Sequence, residues 1–258
     1  MQPAPLLWHA GRVCATAGSP DALAAAAEVS LRVERPGARR VTRVAAAGAC
    51  GDALTVHLAG CNLACAHCWA GPEREEPARA GFLTHLELAR KLRLLRAENR
   101  LGASPDALRL SGGEPLLSEL SLALVADLLA RLPGRLFVET NGIALGAHPA
   151  WARALTAHGP RLFLKLSLKA ATPAAFARIT GRDGAAVELP FRAAAALLQA
   201  GVPFDLEALS LEPRLFPPGE REALHARLRA IDGALPGRLR EETLTPYPDT
   251  SRRMAALT

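Results

Sequence analysis

The stretch ALTVHLAGCNLACAHCW at residues 53–69 joins an apolar run to three closely spaced cysteines. The apolar run at 53–60 has the length and composition of a buried β-strand. Cys61, Cys65 and Cys68 follow it directly, with three residues in the first gap and two in the second. The sequence therefore predicts a loop rich in thiols at the carboxyl end of a strand.

Short apolar runs of this kind recur along the chain and alternate with stretches of helical spacing. The predicted strands are 53–60, 107–113, 135–142, 161–169, 202–210 and 238–245. The predicted helices are 84–99, 118–131, 149–158, 190–200 and 219–230. Because connections of helix length between strands imply parallel pairing, we expect an α/β fold, a partial (β/α)6 TIM-like barrel with parallel strands.

The patterning divides the chain into three parts. Residues 1–52 are loosely patterned apart from a Pro-Gly turn at 34–40, and we expect them to form an N-terminal extension. Residues 53–245 are the core barrel, and residues 246–258 are a Pro-rich C-terminal tail. Since a six-unit barrel leaves one side open, we expect the extension or the tail to cover that side.

Composition limits the partners more than it indicates a function. The 258-residue chain has a net charge of +6, yet its arginines are spread over helical faces such as 88–96, and only 4% of its residues are aromatic. Nucleic acid binding is therefore not expected. The N-terminus has neither a signal peptide nor a long apolar run, so we expect no membrane association and a cytoplasmic protein.

The five cysteines do not have the pattern of a disulfide framework. Their number is odd, three of them lie within eight residues, and thiols stay reduced in the cytoplasm. We therefore expect Cys61, Cys65 and Cys68 to bind a metal. Cys14 and Cys50 are isolated, and we expect both to be small core residues.

Two kinds of metal site remain open on spacing alone. A structural zinc site has four ligands, usually in two close pairs, and the second pair is missing here, although His57 or His67 could supply a fourth ligand. A four-iron cluster fits three thiolates and leaves its fourth iron open to an exogenous ligand. Such an open iron can bind a reactant.

Polar residues and glycines cluster where the predicted strands end. SGGEP at 111–115 follows the second strand, ETNG at 139–142 follows the third, and Ser167 and Lys169 end the fourth. Each segment by itself is also typical of a tight turn. Because the carboxyl ends of parallel strands meet on one face, the four segments together indicate a shared site.

The spacing of Cys61, Cys65 and Cys68, followed by SGGEP at 111–115 and ETNG at 139–142, resembles the radical S-adenosylmethionine (radical SAM) superfamily. The resemblance implies that the three cysteines bind a [4Fe-4S] cluster and that the open iron takes the amino and carboxylate groups of SAM. One electron then cleaves SAM to methionine and a 5′-deoxyadenosyl radical, which abstracts a hydrogen atom from the substrate.

The resemblance also implies which residues hold the amino acid end of SAM. Gly112 and Gly113 let the backbone approach closely, and Glu114 accepts a hydrogen bond from the ammonium group. Lys169, together with Ser167, neutralises the carboxylate group.

The nucleoside end of SAM has its own implied contacts. Glu139 and Asn141 are the expected partners of the ribose. His67 occupies the position before the last cysteine, where the superfamily usually has an aromatic side chain beside the adenine, and its imidazole is flat enough to serve. An electron donor such as a flavodoxin or ferredoxin is the implied partner.

Two subgroups of the superfamily are each matched in part. Glycyl-radical-activating enzymes share SGGEP, but their Asp-Gly-Pro-Gly segment is not found at 45–54. The 7-carboxy-7-deazaguanine synthases share GCNL and ETNG, but they have Asp-Thr where this chain has Trp69-Ala70. A protein and a small molecule are therefore both candidate substrates, and a non-enzymatic zinc or iron-sulfur binding module is a further alternative.

Overall fold

The computed structural model describes residues 21–46, 53–98, 104–244 and 247–255. Nine strands and ten α-helices lie in this part of the chain. The strands are β1 (Glu34–Arg35), β2 (Ala38–Ala46), β3 (Ala53–Leu58), β4 (Gly81–Thr84), β5 (Ser104–Gly112), β6 (Arg135–Thr140), β7 (Leu162–Ser167), β8 (Phe204–Ala208) and β9 (Leu239–Glu241). The helices are α1 (Asp21–Val33), α2 (Gly71–Glu75), α3 (His85–Glu98), α4 (Glu119–Arg131), α5 (Ile143–Ala147), α6 (Ala150–Leu155), α7 (Pro173–Thr180), α8 (Glu188–Ala200), α9 (Glu220–Ile231) and α10 (Pro248–Ala255).

Six of the strands are parallel and follow one another across the sheet in chain order, as β3, β5, β6, β7, β8 and β9. At least one α-helix lies in each connection between them. This topology confirms the expected α/β partial barrel, and each of its six strands overlaps a predicted one. The predicted helix at 149–158 is divided, because α6 ends at Leu155 and 3-10 turns continue over Thr156–Arg161.

Strand β7 shows how the two faces of the sheet differ. Leu162, Leu164 and Leu166 are fully buried and belong to the same apolar cluster as the inner face of α8. Lys165 and Ser167 alternate with them and are only partly buried. Because side chains alternate along a strand, one face packs against helices while polar side chains stay on the other face.

Residues 21–46 add a helix and an antiparallel hairpin to the barrel. Strands β1 and β2 form the hairpin around the expected turn at Pro36-Gly37, and β2 pairs antiparallel with both β3 and β4. The sequence predicts the turn but not these strands, since β2 carries arginines such as Arg40, whose guanidinium lies 4.3 Å from the ring centre of Phe82. The division of the chain at residue 52 stays a prediction.

Two of the predicted helices begin with capping boxes. The Thr84 amide donates to the Glu87 carboxylate at 2.7 Å, and the Glu87 amide donates to the Thr84 hydroxyl at 3.1 Å. Ser118 and Ser121 form the equivalent reciprocal pair at the start of α4. Such capping boxes satisfy amides that have no partner within the helix.

Two further expectations from the sequence concern the isolated cysteines and the membrane. Cys14 and Cys50 lie outside the described residues, so their assignment to the core stays a prediction. Among the helices of the described residues, none has the length and apolar character needed to cross a bilayer.

The contact between α5 and α8 depends on the absence of a side chain at Gly146. A β-carbon there would lie 1.9 Å from the Leu189 carbonyl oxygen, which belongs to the backbone and cannot move aside freely. We expect Gly146→Ala to lower the free energy of unfolding by about 2–3 kcal/mol in urea denaturation. Gly233→Ala is the control, because nothing lies within 4 Å of its β-carbon position. Equal stabilities of the two variants would contradict this packing.

Candidate active site

A cavity of about 180 Å³ lies at the carboxyl ends of the parallel strands. All eleven residues that the sequence analysis assigns to the site line this cavity: Cys61, Cys65, His67, Cys68, Gly112, Gly113, Glu114, Glu139, Asn141, Ser167 and Lys169. The fold therefore brings together segments that are more than 100 residues apart in the chain, from Cys61 to Lys169.

The cysteine loop, residues 60–69, leaves β3 and runs over the end of α7. The amides of Ala64 and Ala66 donate to the carbonyls of Thr180 and Ile179, both at 2.9 Å. All three cysteines of the loop are free, and Cys65 is buried while the other two are partly exposed. The loop thus presents three thiols to the cavity without regular secondary structure of its own.

Burial disfavours ionisation of two of the thiols, those of Cys61 and Cys65, when no metal is bound. It raises the pKa of Cys61 well above the usual range, with the neighbouring Glu114 carboxylate adding to the effect. Burial also raises the pKa of Cys65, to about 11, against the opposing charge of Lys169. Bound iron reverses this balance because a coordinated thiol is deprotonated.

The donor set fits an iron-sulfur cluster. Three free thiols, the ligand type that holds such clusters, border one cavity with space beside them. His57, one of the two candidate fourth ligands for zinc, instead packs edge-on against Trp69 with ring centres 5.5 Å apart. In the part of the chain that the structure describes, no three His, Cys, Asp or Glu side chains are grouped so as to hold a single metal ion.

The SGGEP loop lies directly against the start of the cysteine loop. The Gly113 amide donates to the Leu58 carbonyl and the Glu114 amide donates to the Gly60 carbonyl, both at 2.8 Å. A β-carbon at Gly113 would lie 2.1 Å from the Gly60 carbonyl oxygen. The structure therefore explains Gly113 by contact between two loops, in addition to the close approach to SAM that the sequence implies.

The Glu114 carboxylate joins the SGGEP loop to the ETNG loop. It accepts hydrogen bonds from the Leu116 amide at 2.9 Å, the Thr140 hydroxyl at 2.5 Å and the Asn141 amide at 2.8 Å. Burial raises the pKa of Glu114 to about 7, although these hydrogen bonds oppose the shift. Most of its acceptor capacity is thus used within the protein, a role that the sequence does not reveal.

Asn141 connects the ETNG loop back to the cysteine loop. Its side-chain amide donates to Asn62 Oδ1 at 2.8 Å, while its own Oδ1 accepts from the Ile143 amide at 3.0 Å. Asn62 is a residue of the site that sequence reasoning missed, although it stands next to Cys61 in the GCNL segment. The three loops around the cavity are therefore cross-linked by polar side chains.

Charged side chains from β6, β7 and β8 form a row beside the cavity, and two of them, Glu139 and Glu207, line it. Lys165 donates to Glu207 at 2.6 Å and lies 3.8 Å from Glu139, which also accepts from the Ser111 hydroxyl at 2.5 Å. Lys165 was not expected from the sequence. The sequence pattern could have indicated it. Lys165, Ser167 and Lys169 are every second residue, so they lie on one face of β7 and its continuation.

Lys169 is charged and His67 is neutral on the cavity wall. Burial lowers the pKa of Lys169, but the cysteines and Glu242 raise it by more, so its net shift is upward and the ammonium form is favoured. Burial lowers the pKa of His67 to about 3, with Lys169 and Arg253 adding to the effect. The imidazole is therefore neutral at physiological pH.

Helix α10 closes one side of the cysteine loop. The Thr250 hydroxyl donates to the Cys68 carbonyl at 3.2 Å, and the Arg253 guanidinium donates to the same carbonyl and to that of Ala66. The sequence predicts that the N-terminal extension or the tail covers the open side of the barrel, and α10, which lies in the tail, contacts the site in this way. Thr250 and Arg253 themselves were missed, since nothing local marks them.

The comparisons with known proteins identify the superfamily. A model described as the Radical SAM superfamily matches residues 55–209, which is more than half of the chain. The chain therefore belongs to the radical SAM superfamily. It is an enzyme, its cofactors are a [4Fe-4S] cluster and SAM, and the alternative of a non-enzymatic binding module is wrong.

Individual relatives match only part of the chain. The GTP 3′,8-cyclase of Synechococcus sp. (strain CC9605) is 39% identical over 139 residues, which are 50% of this chain and 36% of that protein. The GTP 3′,8-cyclase of strain CC9902 is 38% identical over 129 residues, or 49% and 34% of the two chains. The chain thus spans about a third of the length of the curated relatives it matches.

Solved structures that are similar to part of this chain include anSMEcpe with bound AdoMet. Its TM-score is 0.48 at 17% identity, covering 76% of this chain and 56% of that one. The complex of anSMEcpe with AdoMet and the Cp18Cys peptide has a TM-score of 0.39 at 22% identity, covering 58% and 40%.

The three hydrogen bonds of Glu114 lead to a stability prediction. In Glu114→Gln the new amide group would face N–H or O–H donors in a buried place, so we expect the free energy of unfolding to fall by about 1–3 kcal/mol. The same change in Glu28, 64% exposed in a surface pair with Arg32, should cost at most about 0.5 kcal/mol. Denaturant titration of both variants measures the difference, and a Glu114→Gln protein as stable as Glu28→Gln would refute the assigned contacts.

Proposed function

We propose that Cys61, Cys65 and Cys68 ligate the [4Fe-4S] cluster and that the cavity beside them binds SAM. The observation that carries this proposal is the lining of one cavity by three free thiols and by polar residues from the ends of β5, β6 and β7. With three protein ligands, one iron of a four-iron cluster lacks a protein ligand. That iron is available to the amino acid end of SAM.

Lys169 and Glu114 are the proposed partners of the charged groups of SAM. Lys169 lines the cavity, its ammonium form is favoured, and the described residues place no carboxylate within ion-pair distance of it. Its charge is therefore free to meet the SAM carboxylate, with Ser167 beside it. Glu114 accepts three hydrogen bonds from the protein, which leaves about one acceptor position for the ammonium group.

The remaining residues of the cavity are proposed to hold the nucleoside end of SAM. Glu139 is partly exposed, so its carboxylate can accept from a ribose hydroxyl while it keeps the bond from Ser111. Asn141 lies beside it, with its side chain held in place by Asn62. His67 offers a flat, neutral ring for contact with the adenine.

When bound, the cluster would supply the electron that cleaves SAM to methionine and a 5′-deoxyadenosyl radical, and this radical would take a hydrogen atom from the substrate. The chain's own task is to hold SAM in one orientation against the cluster. Lys169 binds its carboxylate, Glu114 its ammonium group, and His67 its base. A flavodoxin or ferredoxin as electron donor, and the cytoplasm as location, stay predictions.

We propose that the substrate is a small molecule rather than a protein. The support is that the curated relatives, although matched over only part of their length, are named GTP 3′,8-cyclase. Glu242 and Thr243, which follow β9, also line the cavity and offer polar groups for such a substrate. The activating-enzyme hypothesis, with a protein substrate, becomes the second candidate.

Anaerobic reconstitution with iron and sulfide tests the assignment of the cysteines. We expect about four irons per chain and, under dithionite, formation of 5′-deoxyadenosine from SAM. Replacement of Cys61, Cys65 or Cys68 by Ala should abolish both, because each thiolate holds one iron. Cys14→Ala and Cys50→Ala are the matched controls and should keep both properties.

Two results would contradict the proposal. One is a purified chain that binds a single zinc tightly and releases no 5′-deoxyadenosine. The other is a Cys61→Ala, Cys65→Ala or Cys68→Ala variant with the same iron content and SAM cleavage as the unchanged chain. Adding GTP or guanosine to the reconstituted chain then tests whether either one is the substrate. A small molecule that is the substrate should raise the rate of 5′-deoxyadenosine formation.

A further inference from the structure

Arginines from four separate segments donate hydrogen bonds to carbonyl groups in or next to the cysteine loop. The contacts are Arg39 to Ala59 at 3.1 Å, Arg182 to Asn62 at 2.6 Å, Arg74 to Cys65 at 3.3 Å, and Arg253 to Ala66 at 3.2 Å and to Cys68. These arginines come from β2, from the turn after α7, from α2 and from α10. The loop is thus held from several directions by cationic donors.

The irregular conformation of the loop explains why it needs such donors. A loop that is neither helix nor strand has no regular partners for its carbonyls, and a buried carbonyl without a partner is costly. A guanidinium offers five N–H groups in a rigid fork, so one side chain can hold two carbonyls at once. Arg253 does this with Ala66 and Cys68, on either side of His67.

The four arginines differ in what balances their charge. Arg39 lies 3.0 Å from Glu34, and Arg74 is paired with Glu75. For Arg182 and Arg253, the described part of the chain has no carboxylate within ion-pair distance. Both are partly buried, so their charges are screened less by solvent than those of exposed arginines.

We propose that Arg182 and Arg253 are positioning residues that hold the cysteine loop in its cluster-binding conformation and whose charges make the bound cluster easier to reduce. This inference rests on the proposed function, because it requires a cluster on Cys61, Cys65 and Cys68. A cluster held by three thiolates carries net negative charge, and reduction adds another electron. Fixed positive charge and hydrogen bonding close to such a cluster favour the reduced state.

A redox titration of the reconstituted chain, followed by electron paramagnetic resonance, tests the role of the charge. Arg253→Gln removes the charge and should shift the midpoint potential to a more negative value. Arg253→Lys keeps the charge but lacks the fork, so its potential should stay near that of the unchanged chain while its iron content after reconstitution falls. Arg182→Gln should shift the potential in the same direction as Arg253→Gln.

The neighbouring Arg252 provides a matched control on the same helix. It is 80% exposed and paired with Asp249, so Arg252→Gln should change neither iron content nor midpoint potential. If Arg253→Gln fails to bind iron while Arg252→Gln binds it fully, the positioning role is supported. The effect of the charge is then measured from the midpoint potential of Arg182→Gln. Full iron content with unchanged potentials in both Arg253→Gln and Arg182→Gln would overturn the inference.

Failure of the proposed function gives a different result from failure of this inference. If the cysteines hold no cluster, the unchanged chain itself shows no [4Fe-4S] signal after reconstitution. If only the inference is wrong, the unchanged chain shows the signal and the arginine variants match it in potential and iron content.

Discussion

Gly113 has no side chain, and this lets the loop after β5 lie directly against the start of the cysteine loop. Through this contact the amides of Gly113 and Glu114 bond to carbonyls of Leu58 and Gly60, so the pairing of β5 with β3 continues beyond the strands. Glu114 is then in place to bond the ETNG loop. The three loops that border the cavity become one hydrogen-bonded unit, and any side chain at Gly113 would separate two of them.

The electrostatics of this unit are those of a site that a cofactor completes. Burial, which is partial for Cys61 and nearly complete for Cys65, disfavours the charged forms of both thiols and raises their pKa. A cationic metal centre removes that cost, because it binds the thiolates. Lys169 keeps its charge in the same cavity, while Lys165 is paired with Glu207, which also lines the cavity.

The fold and most of the candidate site could be predicted from the sequence because their signals are local. Each strand has its own apolar run, and each cap or cysteine spacing lies within a few residues, as with Thr84 and Glu87. The arginine contacts have no local signal. Arg253 lies 187 residues from Ala66 and Arg182 lies 120 residues from Asn62, so in the sequence both are indistinguishable from arginines on a solvated surface. The sequence analysis also missed β2, because the arginines of this strand interrupt the alternation of apolar and polar residues.

The central claim is that three cysteines leave one iron of the cluster for SAM, and the most direct measurement is electron-nuclear double resonance. The sample is reduced, reconstituted protein with SAM labelled isotopically at its amino nitrogen. A nitrogen coupling that appears with labelled SAM and is absent without it is the predicted result, because the open iron then carries the amino group. A cluster signal with no coupling to the labelled nitrogen would contradict the claim.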